Sequence, residues 1–303
     1  MPITPKQREA RRKHVGASDT AAIMGLSPWK TSWDIWAEKT GKLDEEDHLT
    51  SEAADLGNLL EPALINWAED HLGAKIWRNQ LRVHKGGILS ASHDGLIIAA
   101  SHGVEVKTTG LVGANTSGWG EEDTDEVPDA VLIQCQHQMI VSDLEMVWVP
   151  ALIGGRGRVM FRTYRNAELS DRILNTVSEF WENHVVCDVP PADSEPSIET
   201  LKQYRRRPGL IVVINPDVLF EYEAAKEAVK EAEGEKEKAK KAIIEALGDA
   251  EGANTRDGNS VTFFEQSRTN TDIKGLKFDH PGLVEPYQSK KTYRVLRLKE
   301  KLL

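Results

Sequence analysis

The chain has 303 residues, 40% apolar and 28% charged, which is enough apolar material for a sizeable core and excludes wholesale disorder. No apolar run approaches the ~18 residues of a membrane span, and the N-terminus lacks the apolar stretch of a secretory signal. Two cysteines, Cys135 and Cys187, cannot make a disulfide framework or a four-cysteine zinc site, and they fit a reducing cytoplasm. The balance of 38 basic against 48 acidic residues, net −10, excludes a uniform phosphate-binding coat. Basic charge is local instead: Arg11, Arg12 and Lys13 cluster near the start, and residues 274–303 carry eight Lys/Arg against three acids.

Taken in chain order, Gly16-Ala17-Ser18-Asp19 is turn-like, and Ser18 or Asp19 can cap a short helix to Met24, stopped by Gly25. Trp33, Trp36 and Ala37 recur at helical spacing, which favours core packing over a base-stacking role for the tryptophans. The apolar periodicity from Leu56 to Ala68 predicts a helix over 53–72, with Gly57 as its weak point. Short strands are expected at 75–78, 81–84, 89–91, 95–99 and 103–108. Residues 110–127 read as a long mobile loop, and 130–141 as a helix. Residues 145–153 and 158–164 read as a hairpin around Gly154–Gly157, and 169–186 as a second long helix. Pro190, Pro191 and Pro196 mark a boundary, giving a first domain over 1–190 and an extension over 191–303. The extension opens with a helix over 217–247 carrying eight Glu and six Lys, about 45 Å long. Short strands are expected near 260–265 and 293–299. The order of elements defines a mixed α/β fold, not a regular βαβ repeat.

The chemistry concentrates in Ser92-His93-Asp94-Gly95 and Gly103-Val104-Glu105-Val106-Lys107. Residues i and i+2 of a strand share a face, so Glu105 and Lys107 project together. If the two strands form a hairpin, Asp94 meets Glu105. Converging carboxylates repel unless a cation lies between them, and hard oxygen ligands favour Mg²⁺ or Mn²⁺. An exposed hairpin with a surface ion pair is the plain alternative for these residues alone. Glu61, on the helix over 53–72, could add a third carboxylate. Gln134, Gln136 and Gln138 lie on the helix over 130–141 and cannot all face water or all face the core.

These segments, in this order, resemble the YqaJ-type viral recombinases, relatives of lambda exonuclease in the PD-(D/E)xK nuclease superfamily. The matching stretches are Arg11-Arg12, Gly16–Asp19, Ile23–Lys30, Gly57–Pro62, Ser92–Asp94, Glu105–Lys107 and Gln134–Met139, covering roughly residues 8–165. The resemblance implies a restriction-endonuclease-like core, a mixed central sheet flanked by helices. It implies a Mg²⁺-dependent 5′→3′ exonuclease acting on double-stranded DNA ends, with Mn²⁺ as a substitute. Asp94, Glu105 and Glu61 are then expected to hold metal and Lys107 to assist the attacking water. Gln136 is expected beside the lysine, with Gln134 assisting. Ser18, Ser92 and Arg11 or Arg12 are expected to grip the 5′-phosphate. The superfamily's proline before the first aspartate is replaced here by His93. The implied role is end resection for phage-type recombination in a bacterial cytoplasm, with a single-strand annealing protein of the RecT or Beta type as partner. A homo-oligomer, a trimer by analogy with the lambda ring, is expected too. The rival readings are an endonuclease with the same metal core and a non-catalytic DNA-binding module.

Overall fold

The seven strands of the main sheet are laid out around β3 (Leu89–Ile97) and β6 (Met146–Ile153). The computed structural model describes residues 5–43, 52–110, 117–267 and 272–285. The chain divides into two compact units, Met1–Arg206 and Arg207–Leu303. In the first, α1 (Pro5–Lys13) leads into β1 (Val15–Gly16), α2 (Ala17–Ile23), α3 (Ser32–Lys39) and the long α4 (Glu52–Leu72). β2 (Trp77–Val83) and β3 follow, then β4 (His102–Val104), β5 (Lys107–Thr109) and α5 (Asp129–Ser142). The hairpin of β6 and β7 (Gly157–Tyr164), α6 (Ala167–Phe180), a π-helical turn (Trp181–Val186) and α7 (Ile198–Gln203) complete it. The sheet is mixed: β1–β3, β4–β6 and β5–β6 run parallel, while β2–β3, β3–β4 and β6–β7 run antiparallel. Helices flank it, as the sequence leads one to expect of this α/β class.

Two apolar layers hold the sheet. Leu64, Ile65 and Ala68 of α4 pack with Ile76, Val104 and Val106. Val131, Cys135 and Met139 of α5 pack with Val147, Val149 and Phe161. Ten of these twelve are Val, Leu, Ile, Met or Phe side chains, whose burial is worth roughly 1.5–3 kcal/mol each. Gly95 sits where β3 passes under Ile76, and a Cβ there would stand 2.2 Å from Ile76 Cγ2. The close approach requires glycine.

Pairing leaves a fork in the sheet. Ser90 pairs with both β1 and β2, and Gly95 with both β2 and β4. β1 and β4 therefore lie on the same side of β3, and residues 91–94 have no strand partner there. Across the gap, β4 and β5 follow one another along the same side of β6, interrupted at Glu105 and Val106. Where strands over 103–108 were expected to be continuous, the Val106 amide turns away to a side chain of β3.

Other expectations are revised. The strands expected in pairs over 75–84 and 89–99 are one each, β2 and β3, which keep an unbroken register past Asn79, and Ile98–Ala100 form a 3₁₀ turn. Of the loop expected over 110–127, residues 111–116 lie outside the described residues, and 117–127 are irregular but fastened to the sheet. Trp119 packs on Phe161, the Asp123 amide donates to the Met160 carbonyl, and Arg156 donates to the Trp119 and Gly120 carbonyls. Helices α1 and α7 were not anticipated. α7 returns Tyr204 to Trp33, and the Arg205 amide donates to the Lys42 carbonyl. In the second unit, α8 (Pro216–Leu247) is followed by the hairpin of β8 (Gly252–Asn254) and β9 (Ser260–Thr262), then α9 (Ile273–Asp279) and α10 (Pro281–Val284). The strand expected at 293–299 lies outside the described residues. Among the described residues no helix is long and apolar enough to cross a membrane.

Candidate active site

The register that ends with Gly95 opposite Val104 brings Asp94 and Glu105 together at the fork. Asp94 Oδ2 accepts from the Val106 amide at 2.8 Å, which ties β3 to the interrupted strand. Glu105 is 4% exposed and accepts from three side chains. Its Oε1 accepts from Lys107 Nζ at 2.7 Å and Gln134 Nε2 at 2.6 Å, and its Oε2 from Gln138 Nε2 at 2.6 Å. Lys107 Nζ also donates to Gln134 Oε1 at 2.8 Å. Glu105 and Lys107 share a face because they are two residues apart in extended chain. Gln134 and Gln138 share a face because they are four apart on a helix.

Gln136, expected beside the lysine, points elsewhere. It lies two residues from Gln134, on the far side of α5. It is 1% exposed, its Nε2 donating to the Tyr164 carbonyl at 2.7 Å and its Oε1 accepting from the Asn166 amide at 3.0 Å. It fastens α5 to the β7–α6 connection. The glutamine that sequence reasoning missed is Gln138, and the signal was present: i and i+4 from Gln134 on a helix.

Glu61, Asp94 and Glu105 line one cleft of about 210 Å³, with Gly57, Asn58 and Thr108. Gly57 lets α4 come in close, since a Cβ would stand 3.4 Å from Thr108 Oγ1. Pro62, inside α4, has no N–H to give the Asn58 carbonyl. Burial, then Glu105, and to a lesser degree Glu61 push the Asp94 carboxyl well above its ordinary range. Burial opposes charge on Lys107, but Glu105, its hydrogen bond and Asp94 outweigh that and raise it, so the ammonium persists. Behind them, burial and then Glu105 push the Cys135 thiol up to about 12, which makes it an inert core group.

Among the described residues no group of three or more His, Cys, Asp and Glu side chains closes tightly enough to cage an ion. Mg²⁺ does not need such a cage, because it keeps several waters and takes one or two carboxylates. Asp94 and Glu105 provide those hard oxygens, and the unfavourable ionisation of Asp94 is what a cation would relieve. The residues present fit a hard divalent ion.

The other expected residues lie on α1, α2 and β3. Arg11 Nη2 donates to Ser18 Oγ at 3.2 Å. Gly16 pairs in parallel with Ser90, and Ser18 and Ser92, both exposed, each lie two residues further on. Arg12 is exposed in the last turn of α1. Gly16, not Ser18 or Asp19, is the N-cap of α2. Asp19 instead is 4% exposed, its Oδ2 accepting from the Gly16 amide at 3.0 Å and from Lys39 Nζ at 2.7 Å. Lys39 Nζ also donates to the Arg11 carbonyl at 2.6 Å, so one buried ammonium fixes the end of α1 to the start of α2. Trp33 and Trp36 pack edge to face in the core, whereas Trp29 is 81% exposed. His93 is buried, its Nε2 bonded to Ser142 Oγ at 2.7 Å. His102 lies at ring-contact distance from Trp148.

Residues 7–145 match the YqaJ-like viral recombinase domain. The chain is 29% identical over 302 residues to the uncharacterized protein YqaJ of Bacillus subtilis strain 168, covering 96% of this chain and 92% of that one. Among solved structures it is similar to an alkaline exonuclease from Laribacter hongkongensis, with 19% identity, TM-score 0.48, and 61% and 94% of the two chains covered. It is also similar to a phage-related exonuclease from Haemophilus somnus 129PT, with 16% identity, TM-score 0.43, and 58% and 95% covered.

Proposed function

We propose that this protein is a Mg²⁺-dependent nuclease, with Mn²⁺ as substitute, that resects double-stranded DNA ends in the 5′→3′ direction for recombination by single-strand annealing. The observation that carries the reading is the Asp94–Glu105–Lys107 group, held at the fork by Gln134 and Gln138 beside Glu61. The match to a viral recombinase domain supports the recombination role.

In this reading Asp94 and Glu105 hold the cation, with Glu61 on the facing wall of the cleft. A divalent ion there supplies Lewis-acid charge for the phosphate oxygens. Lys107 presents a permanent ammonium, able to orient the attacking water or to stabilise charge developing on the phosphoryl group. Gln134 and Gln138 hold the Glu105 carboxylate in one orientation, so no reorganisation is needed during the reaction. Arg11, or Arg12 beside it, with Ser18 and Ser92, grips the terminal 5′-phosphate. A guanidinium suits that task because its fork matches phosphate oxygens. The product strand ends in a 3′ overhang, the substrate of an annealing protein of the RecT or Beta type in the cytoplasm of a bacterial host.

Lys107→Ala tests the division of labour. Cleavage of linear duplex is expected to fall to background while binding of duplex ends, measured by fluorescence anisotropy, is retained. Retained cleavage in a folded Lys107→Ala protein would remove the lysine from the chemistry. Arg11→Ala with Arg12→Ala is expected to weaken activity on 5′-phosphorylated ends more than on 5′-hydroxyl ends, and equal loss on both contradicts the phosphate grip.

A further inference from the structure

Helix α8 spans 32 residues, about 48 Å, and every described side chain on it except Ile244 and Leu247 is exposed. Its sequence carries a heptad repeat that its charge content conceals. Counting from Tyr222, the a positions are Tyr222, Val229, Lys236 and Ile243. The d positions are Val218 and then Ala225, Ala232, Ala239 and Ala246. Four heptads in one unbroken phase are the signature of a coiled-coil seam. The seam is open: Val218 is 56% exposed, Tyr222 49%, Val229 58% and Ile243 47%. Gly234, the weak point of the helix, falls at the outermost f position, where no close packing is asked of it.

The flanking charges choose the occupant. In a parallel in-register pair, the g position of one helix faces the e position five residues on in the other. Here that sets Glu221 against Lys226 of the second helix, and Glu235 against Lys240, with each pair formed twice by symmetry. The remaining g–e contacts, Ala228 with Glu233 and Ala242 with Leu247, hold no like-charge pair. The two β-branched a residues, Val229 and Ile243, with Lys236 between them, favour two strands in a single register. The intrahelical pairs Lys230–Glu227 and Lys241–Glu245 use b, c and f positions and leave the seam unobstructed. Just before the helix, Leu210–Ile214 is a run of five exposed aliphatic residues. Only a parallel pair brings the two copies of this run to the same end.

We propose that α8 is a self-association surface whose occupant is α8 of a second copy of this chain, in a parallel, in-register, two-stranded coiled coil. The docking partner is thus another copy of the protein, joined through the second unit and independently of the nuclease site.

The test uses the full-length chain in sedimentation velocity over a wide concentration range. A dimer mass is expected, in place of the trimer that the resemblance implies. Val229→Glu with Ile243→Glu should abolish it. Glu221→Lys with Glu235→Lys in one chain, and Lys226→Glu with Lys240→Glu in another, should each give monomers, and mixing the two should restore the dimer. That rescue separates loss of association from loss of the helix. For orientation, Val218→Cys in a Cys187→Ser background should cross-link through the two introduced thiols on oxidation, because a parallel register places them side by side. A monomer at all concentrations overturns the proposal, as does a dimer indifferent to the charge reversals. So does a monomer that dimerises only once residues 286–303 are removed, which would make the chain's own tail the occupant. A trimer mass overturns the strand number, and a charge-sensitive dimer that fails to cross-link overturns the parallel arrangement.

Discussion

Replacing Lys39 by Met removes the ammonium that joins α1, α2 and α3. The Lys39 side chain is fully buried, Asp19 is 5% exposed, and their contact is 2.7 Å. Burial alone would push the Asp19 carboxyl up. Lys39 first, then Arg11 and Lys30, outweigh it and hold the group well below the usual carboxylate range. Removing one partner of a buried pair typically costs about 3–5 kcal/mol, because the other charge is left uncompensated. For a unit of some 200 residues that corresponds to a fall in Tm of roughly 6–20 °C at about 2–4 °C per kcal/mol. The Arg11 carbonyl also loses its donor, so the Arg11–Ser18 contact loosens and activity on phosphorylated ends should fall with stability. The pH dependence carries the sign. In the native pair Asp19 is lowered, so its contribution is present above pH 3.8 and lost as pH falls through the depressed value. In Lys39→Met the unpaired carboxyl is raised, so the penalty is greatest at neutral pH and shrinks on acidification. Urea denaturation at pH 7 and pH 5 measures both. A loss below about 1 kcal/mol at pH 7, the size of a surface pair, would refute the reasoning.

Three further outcomes follow from the geometry. Gln138→Ala removes a donor from Glu105 and should depress cleavage, whereas Gln136→Ala should cost about 1–3 kcal/mol of stability and leave activity per folded molecule unchanged; kinetics and urea melts on both variants check this, and the reverse pattern would restore Gln136 to the site. Burial lowers His93 and His137 to about 4, so both are neutral when folded, and stability present above pH 6.5 should drain away as pH falls towards 4, by up to about 3 kcal/mol for each; His137→Gln should flatten that limb, and an unchanged limb would show that His137 is not its source. Gly95→Ala forces a methyl into Ile76 and should cost about 1–3 kcal/mol, reduced in Gly95→Ala with Ile76→Ala; equal losses in the single and double variants would contradict the contact.

The strand pattern made the meeting of Asp94, Glu105 and Lys107 legible. The alternation Glu105-x-Lys107 and the hairpin with Asp94 follow from period two, and the structure places all three at one fork. The helical pattern made two glutamines face one way, but a loose motif match selected Gln136, while the 3.6-residue period selects Gln134 and Gln138. The break at Glu105–Val106 was not legible, because the Val106 amide is diverted by the side chain of Asp94, twelve residues earlier, and local propensity does not register that. Asp19 read as a cap because its partner, Lys39, is on another helix. Helix α1 is nearly all polar, and its pattern carries no apolar period to reveal it.

The most direct test of the account is a time course on linear duplex DNA labelled at one 5′ end, beside covalently closed circular DNA, with Mg²⁺ and with EDTA, and with Glu105→Ala in parallel. The account predicts metal-dependent loss of the linear substrate only, early release of the 5′ label, and no cutting by the variant. Cutting of the circle would contradict end-directed resection in favour of an endonuclease, and a wild-type protein that binds both DNAs and cuts neither would contradict catalysis altogether.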